Sequence, residues 1–168
     1  MPIVTARVDD RLIHGQIVQG WLKNIDVDAV LVVSDAAVQD AMQQVLMSLA
    51  MPSNIRLDVK NSKDAVESIL NGTYSRERLF IVSEKPEYIL QMIENGVDLK
   101  SINVGGMHFA NGKRKILFNL FADDNDVEVL YKIYLKGIEI EGRILPKDER
   151  VNVISVVERE YHIIFGES

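Results

Sequence analysis

The sequence predicts an α/β fold, a single doubly wound domain over residues 1–168 with a mainly parallel open sheet and helices on both faces. Three observations carry that expectation. Short continuous apolar runs, Ala29-Val30-Leu31-Val32-Val33 and Leu79-Phe80-Ile81-Val82, lack polar alternation, as strands buried on both faces of a parallel sheet do. Segments with apolar residues at helical spacing stand between them. The connections are short, and strand, helix, strand repeated in this way closes into a parallel sheet covered on both sides.

In chain order, Ile3 to Val8 reads as the first strand and Gly15 to Lys23 as a helix carrying Ile17, Val18, Trp21 and Leu22 on one face. The run 29–33 is the second strand, with Ser34-Asp35 at its C-terminal end. Val38, Ala41, Met42, Val45, Leu46 and Leu49 then follow helical spacing until Met51-Pro52 stops it, and the methionines there read as core filling. Ile55 to Val59 alternates as a strand. Ser62 can cap a helix through Leu70, ended by Asn71-Gly72. After the strand 79–82, Pro86 suits the first position of a helix through Glu94, closed by Asn95-Gly96. Ser101 to Val104 is the next strand, Asn111-Gly112 a tight turn, and Asp123 to Asp126 precede a helix through Leu135 that Gly137 closes. Ile138 to Ile144 is the last core strand. Beyond Pro146, the stretches 151–157 and 161–165 fit either strand or short helix, with strand the preferred reading.

Composition excludes several classes of function. There is no cysteine, so neither disulfides nor thiolate metal sites are available, and a reducing compartment is permitted. No apolar run approaches the ~20 residues of a membrane span, and no start region reads as a secretion signal. A net charge of −6 argues against a nucleic-acid partner, whose phosphates need a basic face. Lys113-Arg114-Lys115 is the only basic run and reads as a solvated turn. The expected protein is unexported and cytoplasmic.

Chemistry concentrates where the first strand meets the first helix. Arg7, Asp9, Asp10, Arg11 and His14 fall within eight positions, and Gly15-Gln16 follow. A histidine just before a helix start meets unpaired N–H groups and the positive end of the helix dipole, which disfavour imidazolium and favour a bound anion. His14 is thereby biased toward a neutral nucleophile. A phosphoryl group on it could be held by the amides of Gly15 and Gln16 and by the forks of Arg7 and Arg11. Asp9 or Asp10 could fix its tautomer by accepting the other ring proton. A solvated cap histidine beside a surface ion-pair cluster is the plainer reading of the same residues.

The segment Asp9-Asp10-Arg11-Leu12-Ile13-His14-Gly15-Gln16, preceded by Ala6-Arg7 and followed by Trp21, resembles the active-site segment of the B component (EIIB) of the mannose/fructose/sorbose family of the bacterial sugar phosphotransferase system. Ile102-Asn103-Val104-Gly105-Gly106-Met107 resembles a second stretch of that family, in the right order and at the right separation. The similarity runs through about Pro146. It implies that His14 accepts a phosphoryl group from an EIIA phosphocarrier, through Nδ1, and passes it to a sugar held by the membrane EIIC/EIID permease. It implies no cofactor, and peripheral association with the membrane through that permease. Nothing in the sequence sets an oligomeric state, and a homo-oligomer is compatible with it.

In open α/β sheets ligands bind beyond the carboxyl ends of the strands, where strand order reverses. With the common order 3-2-1-4-5, the loops after the first and fourth strands border that point, and His14 faces Ser83. Gly105-Gly106 would let backbone approach a phosphate closely. Arg143, ending the last strand, could assist phosphate binding or pair with Glu141. Trp21 reads as core. His108 and His162 lie too far from His14 in sequence to suggest a metal set, and no metal-ligand spacing is present.

Two other functions compete. A receiver-like signalling domain also pairs acids after its first strand, but needs an acidic acceptor after the third strand and a lysine after the fifth, where this chain has Val104-Gly105-Gly106. A nucleotide-binding module needs a Gly-x-Gly-x-x-Gly or P-loop pattern, and Gly112-Lys113 is followed by Arg114 instead of Ser or Thr.

Overall fold

The apolar runs of the sequence become the centre of one sheet. The structure, a computed structural model, describes residues 3–161. Its strands are β1 (Ile3–Asp9), β2 (Ala29–Val33), β3 (Arg56–Lys60), β4 (Leu79–Ser83), β5 (Ser101–Gly106), β6 (Arg114–Leu117), β7 (Leu120–Ala122), β8 (Glu139–Gly142) and β9 (Val151–Asn152). Seven of them form a sheet in the order β3-β2-β4-β1-β5-β8-β9. Pairing is parallel from β3 to β8, and only β9 runs antiparallel, against β8. All five residues of β2 and of β4 are buried, as strands covered on both faces must be.

Two apolar layers cover the sheet. On one face a π-type helix (Gln16–Trp21) and helices α1 (Asp35–Val38) and α2 (Ala41–Ala50) set Ile17, Trp21, Ala37 and Met47 against Val30, Val32, Phe80 and Val82. On the other, α3 (Ser62–Leu70), α4 (Pro86–Glu94), α5 (Asp124–Leu135) and α6 (Val153–Tyr161) set Ile69, Ile89, Met92, Leu130 and Val157 against Val8, Leu31, Val33 and Ile81. Odd and even residues of one strand serve opposite layers, the period of two that a pleated strand imposes. The termini of α5 follow from local chemistry: Asp123 accepts from the Asp126 amide, Asp126 accepts in return from the Asp123 amide, and Gly137 takes the positive φ that ends the run.

Several expectations need correction. The strand order is not 3-2-1-4-5: β1 stands between β4 and β5, so chain order parts between β1 and β5. The loops that border the crevice are therefore those after β1 and β5. The stripe on α2 faces outward, with Met42 68%, Val45 52%, Leu46 59% and Leu49 78% exposed, while Met47 is buried. The physical cause is a break at Gln39. The turn α1 ends there, and Asp40 starts a new helix by accepting a hydrogen bond from the Gln43 amide, so Val38 belongs to a separate helix and does not tie the stripe of α2 to the sheet. The cap of α3 is Asn61, which accepts from the Asp64 amide. Stretch 151–157 is not one strand, because β9 has two residues and helix α6 starts at Val153. Residues 162–165, with His162, lie outside the described residues. The antiparallel hairpin β6–β7 was not expected; it is joined to the end of β5 by bonds between Met107, Asn119 and Phe121.

Candidate active site

β1 delivers its last residues to the crevice it borders with β5. Asp9 closes the strand, and the amide of Leu12 donates to the Asp9 carbonyl at 3.0 Å to make a tight turn. Leu12 adopts φ +58°, a left-handed conformation unusual for a non-glycine residue. Its side chain and that of Ile13 are buried in the layer below, which holds the turn against that strain. The chain then enters the π-type helix, a geometry that tends to occur at functional sites.

His14 is fixed by this turn. Its Nε2 lies 2.8 Å from Asp9 Oδ2, while Nδ1 keeps only a long contact to the Gln16 amide, 3.4 Å, among the described residues. An ionised Asp9 accepts the Nε2 proton, and the network thus assigns the lone pair to Nδ1. Asp9 rather than Asp10 holds the ring. Asp10 instead ties the two loops together: its amide donates to the Gly106 carbonyl at 3.0 Å, and its carboxylate accepts from the His108 amide at 2.7 Å and pairs with His108 Nδ1.

Asp9 is fully buried and saturated with partners. Oδ2 accepts from Arg7 Nε at 3.2 Å and Arg7 Nη2 at 3.1 Å as well as from His14, and Oδ1 accepts from the Arg11 amide at 3.2 Å. Burial alone would raise its carboxyl, but the His14 hydrogen bond and the Arg7 charge more than offset that and hold it below the usual carboxylate range. Burial lowers the Arg7 guanidinium, and Asp9 opposes that shift.

The two arginines play different parts from those expected of a matched pair. Arg7 is buried, with Nε and Nη2 on Asp9 and Nη1 donating to Asn103 Oδ1 at 2.6 Å and to the Arg143 carbonyl at 3.0 Å. It anchors the carboxylate and presents no free fork to a ligand. Arg11 is exposed, and its Nη2 donates to Gln16 Oε1 at 3.0 Å, beside the Gln16 amide that faces His14. An anion on Nδ1 would meet Arg11 and the amides of the turn. Those local N–H groups supply the positive potential, because a helix of six residues has little macrodipole.

The glycine pair makes room for side chains of β1. A Cβ on Gly105 would stand 1.8 Å from Arg7 Cζ, and one on Gly106 would stand 2.8 Å from Asp9 Oδ1. Gly105 is also the residue skipped by the register, since Val8 pairs with Val104 and Asp9 with Gly106. Gly15 has φ −52° and open space around its Cβ position. Ser83 is not opposite His14 across the crevice: it is buried beside Val8 and Val33, and its hydroxyl donates to the Lys85 carbonyl at 2.7 Å. The changed strand order is the reason.

Sequence reasoning gave Asn103 no part of its own in this network and left Arg143 open between phosphate binding and pairing with Glu141. Asn103 Nδ2 donates to Glu141 Oε2 at 3.2 Å, and Glu141 is gripped by Arg143 through Nε and Nη2 at 2.8–3.1 Å. Arg143 thus pairs with Glu141. The available signal was a polar residue next to apolar ones in each of two strands, Asn103 between Ile102 and Val104 and Glu141 after Ile140. Trp21 is core but also polar in use, its Nε1 donating to the Ile144 carbonyl at 2.8 Å. Among the described residues no group of three or more His, Cys, Asp or Glu side chains could hold a metal ion. No helix among them is long and apolar enough to cross a membrane.

Comparison with known proteins places this geometry in a family. A family model described as "PTS system sorbose subfamily IIB component" matches residues 3–164. The chain is 34% identical over 157 residues to the "PTS system fructose-specific EIIB component" of Bacillus subtilis, covering 94% of this chain and 96% of that one. It is 31% identical to the "PTS system mannose-specific EIIAB component" of Escherichia coli, covering 95% of this chain and 49% of that longer one. The crystal structure of the IIBSor domain of the sorbose permease from Klebsiella pneumoniae superposes with a TM-score of 0.90 at 28% identity, covering 95% of this chain and 98% of that one.

Proposed function

The chain belongs to the sorbose subfamily of IIB components of the phosphotransferase system, which move phosphoryl groups in sugar uptake, and from that premise we propose that His14 carries the phosphoryl group. The observation that carries the reading is the asymmetry of its ring: Nε2 is bound to Asp9 at 2.8 Å and Nδ1 is left with its lone pair.

The donor is a phosphohistidine on an EIIA partner. The Nδ1 lone pair of His14 attacks phosphorus, and the electron pair of the breaking P–N bond returns to the donor imidazole. Positive charge that develops on the His14 ring is met by Asp9 through the Nε2 proton, and charge on the phosphoryl oxygens by Arg11 and the amides of Gly15 and Gln16. In the second step a sugar hydroxyl attacks phosphorus, the P–Nδ1 bond breaks with its electron pair returning to Nδ1, Nε2 keeps its proton, and the hydroxyl proton passes to water. The sugar is presented by a membrane EIIC/EIID permease, to which this chain docks from the cytoplasm. Neither step requires a metal, because arginine and backbone amides meet the charge.

The test is the bond formed. Wild-type protein incubated with phosphorylated EIIA should acquire one label that is labile in acid and persists in alkali, and His14→Ala should acquire none while keeping its fold. Release to sugar should require the membrane partners. Alkali-labile label, or label on an aspartate peptide, would overturn the assignment and favour an acyl phosphate.

A further inference from the structure

We propose that Asn103 and Glu141 are positioning residues for the transfer: acting through Arg7, they hold Asp9 and thereby the ring of His14. The proposal rests on the reading of His14 as acceptor. Neither residue is near enough to a reacting atom to be catalytic itself.

The first support is the arrangement of donors and acceptors. Arg7 Nη1 donates to Asn103 Oδ1 at 2.6 Å, Asn103 Nδ2 donates to Glu141 Oε2 at 3.2 Å and to the Arg143 carbonyl at 3.3 Å, and Arg143 closes the chain on Glu141. Each end of the Asn103 amide thus meets a partner that only that end can serve. Asp in its place would have no donor for Glu141, and Leu would remove both contacts, leaving Arg7 to Asp9 and the Arg143 carbonyl and Glu141 to Arg143 alone.

The second support is burial. Arg7, Asp9, Asn103 and Glu141 are each at most 4% exposed. Desolvating such a set is expensive, and apolar replacements of similar volume often match or exceed the stability of a buried ion pair. Stability alone is therefore a poor reason for the network. What it does accomplish is geometric: Arg7 is held at Nη1 by β5 and by the chain after β8, and its remaining bonds fix the plane of the Asp9 carboxylate that meets Nε2 of His14.

The third support is charge order. Along the network away from His14 the groups run Asp9, Arg7, Glu141, Arg143, alternating in sign, with neutral Asn103 between Arg7 and Glu141. Glu141 draws on the charge of Arg7, and so decides how much of it Asp9 feels and how firmly Asp9 can support a positive ring.

Two shape-conserving substitutions test this with opposite signs. Glu141→Gln removes a negative charge from the chain, and Asn103→Asp adds one. The titration midpoint of His14, followed by ring ¹H–¹⁵N NMR on the unphosphorylated protein, should fall in the first and rise in the second. The groups facing the ring, Asp9 with Arg7 and Arg11 around it, are unchanged in both. Single-turnover transfer from phosphorylated EIIA should lose about tenfold or more in maximal rate in Glu141→Gln, with the half-saturating EIIA concentration unchanged, the scale typical of lost partners behind a functional histidine. Circular dichroism and thermal unfolding establish that the variants are folded. If Asn103→Asp does not fold, Arg143→Gln tests the same sign by removing the cation that neutralises Glu141, and the midpoint must rise. Midpoints that stay fixed, or that move alike in variants of opposite charge, overturn the proposal. Label persisting in His14→Ala would instead overturn the acceptor assignment and leave the titration result standing.

Discussion

The guanidinium of Arg7 occupies the space in which a side chain on Gly105 would lie, with Cζ 1.8 Å from the position of the missing Cβ. The glycine is thus part of the same device as the arginine, although they are far apart in sequence. Gly105→Ala should push Arg7 off Asp9, leave buried charges unpaired and cost about 3–5 kcal/mol. Urea unfolding and single-turnover transfer should both show the loss, and unchanged stability would mean that Arg7 has another place to go.

Gly15→Ala makes the contrasting prediction. Its backbone is already right-handed and nothing lies within 4 Å of the Cβ position, so the fold should gain about 0.4–1 kcal/mol from the stiffer unfolded chain. Any loss of transfer in that variant then measures the approach of phosphate to the turn, separated from stability.

Asp9 sets an acid limit. Its folded carboxyl lies below its unfolded value, so its stabilising contribution is present above the unfolded value of about 4 and is lost as pH falls through the folded one. Asp9→Asn should flatten that part of the stability–pH profile, and should be less stable at neutral pH by about 3–5 kcal/mol because Arg7 loses its partner. A profile of unchanged shape in Asp9→Asn would assign the acid transition to other carboxylates.

Arg11→Lys should leave stability within about 0.5 kcal/mol of wild type, as exposed substitutions do. Transfer should slow even so, since a point charge replaces a planar fork. Wild-type kinetics would remove Arg11 from the mechanism.

On α2, Met47→Ala should cost about 2–5 kcal/mol as a core truncation. Leu49→Ala, on the exposed side, should stay within about 0.5 kcal/mol. Thermal unfolding distinguishes them directly.

The fold class was legible because β2 and the first four residues of β4 are apolar without interruption, as a strand covered on both faces requires. Strand order was not legible. Nothing local in residues 3–9 says whether β4 or β2 lies alongside, and that choice moved Ser83 away from the place expected for it. The α2 stripe failed for a related reason: periodicity marks a face, but the Asp40 cap and the chain before it decide which face meets the sheet. His14, Asp9, Asp10, Arg7 and Arg11 were legible as a cluster because they are close in sequence. Their division of labour was not, since it depends on Asn103, Gly105 and Gly106 reaching β1 from a strand almost a hundred residues later. The small hairpin β6–β7 was missed because its strands have four and three residues, too few for alternation to register.

Trp21 is the only tryptophan in the chain, with Arg7 Cζ 5.1 Å and Arg143 Cζ 5.4 Å from its ring centroid. Indole emission shifts with the field of neighbouring charges, and a dianion on His14 lies one carboxylate away from Arg7. Intrinsic fluorescence should therefore follow the loading and discharge of the site in real time, without an attached dye. Trp21→Phe provides the blank, and the light itself becomes a clock for each half of the reaction.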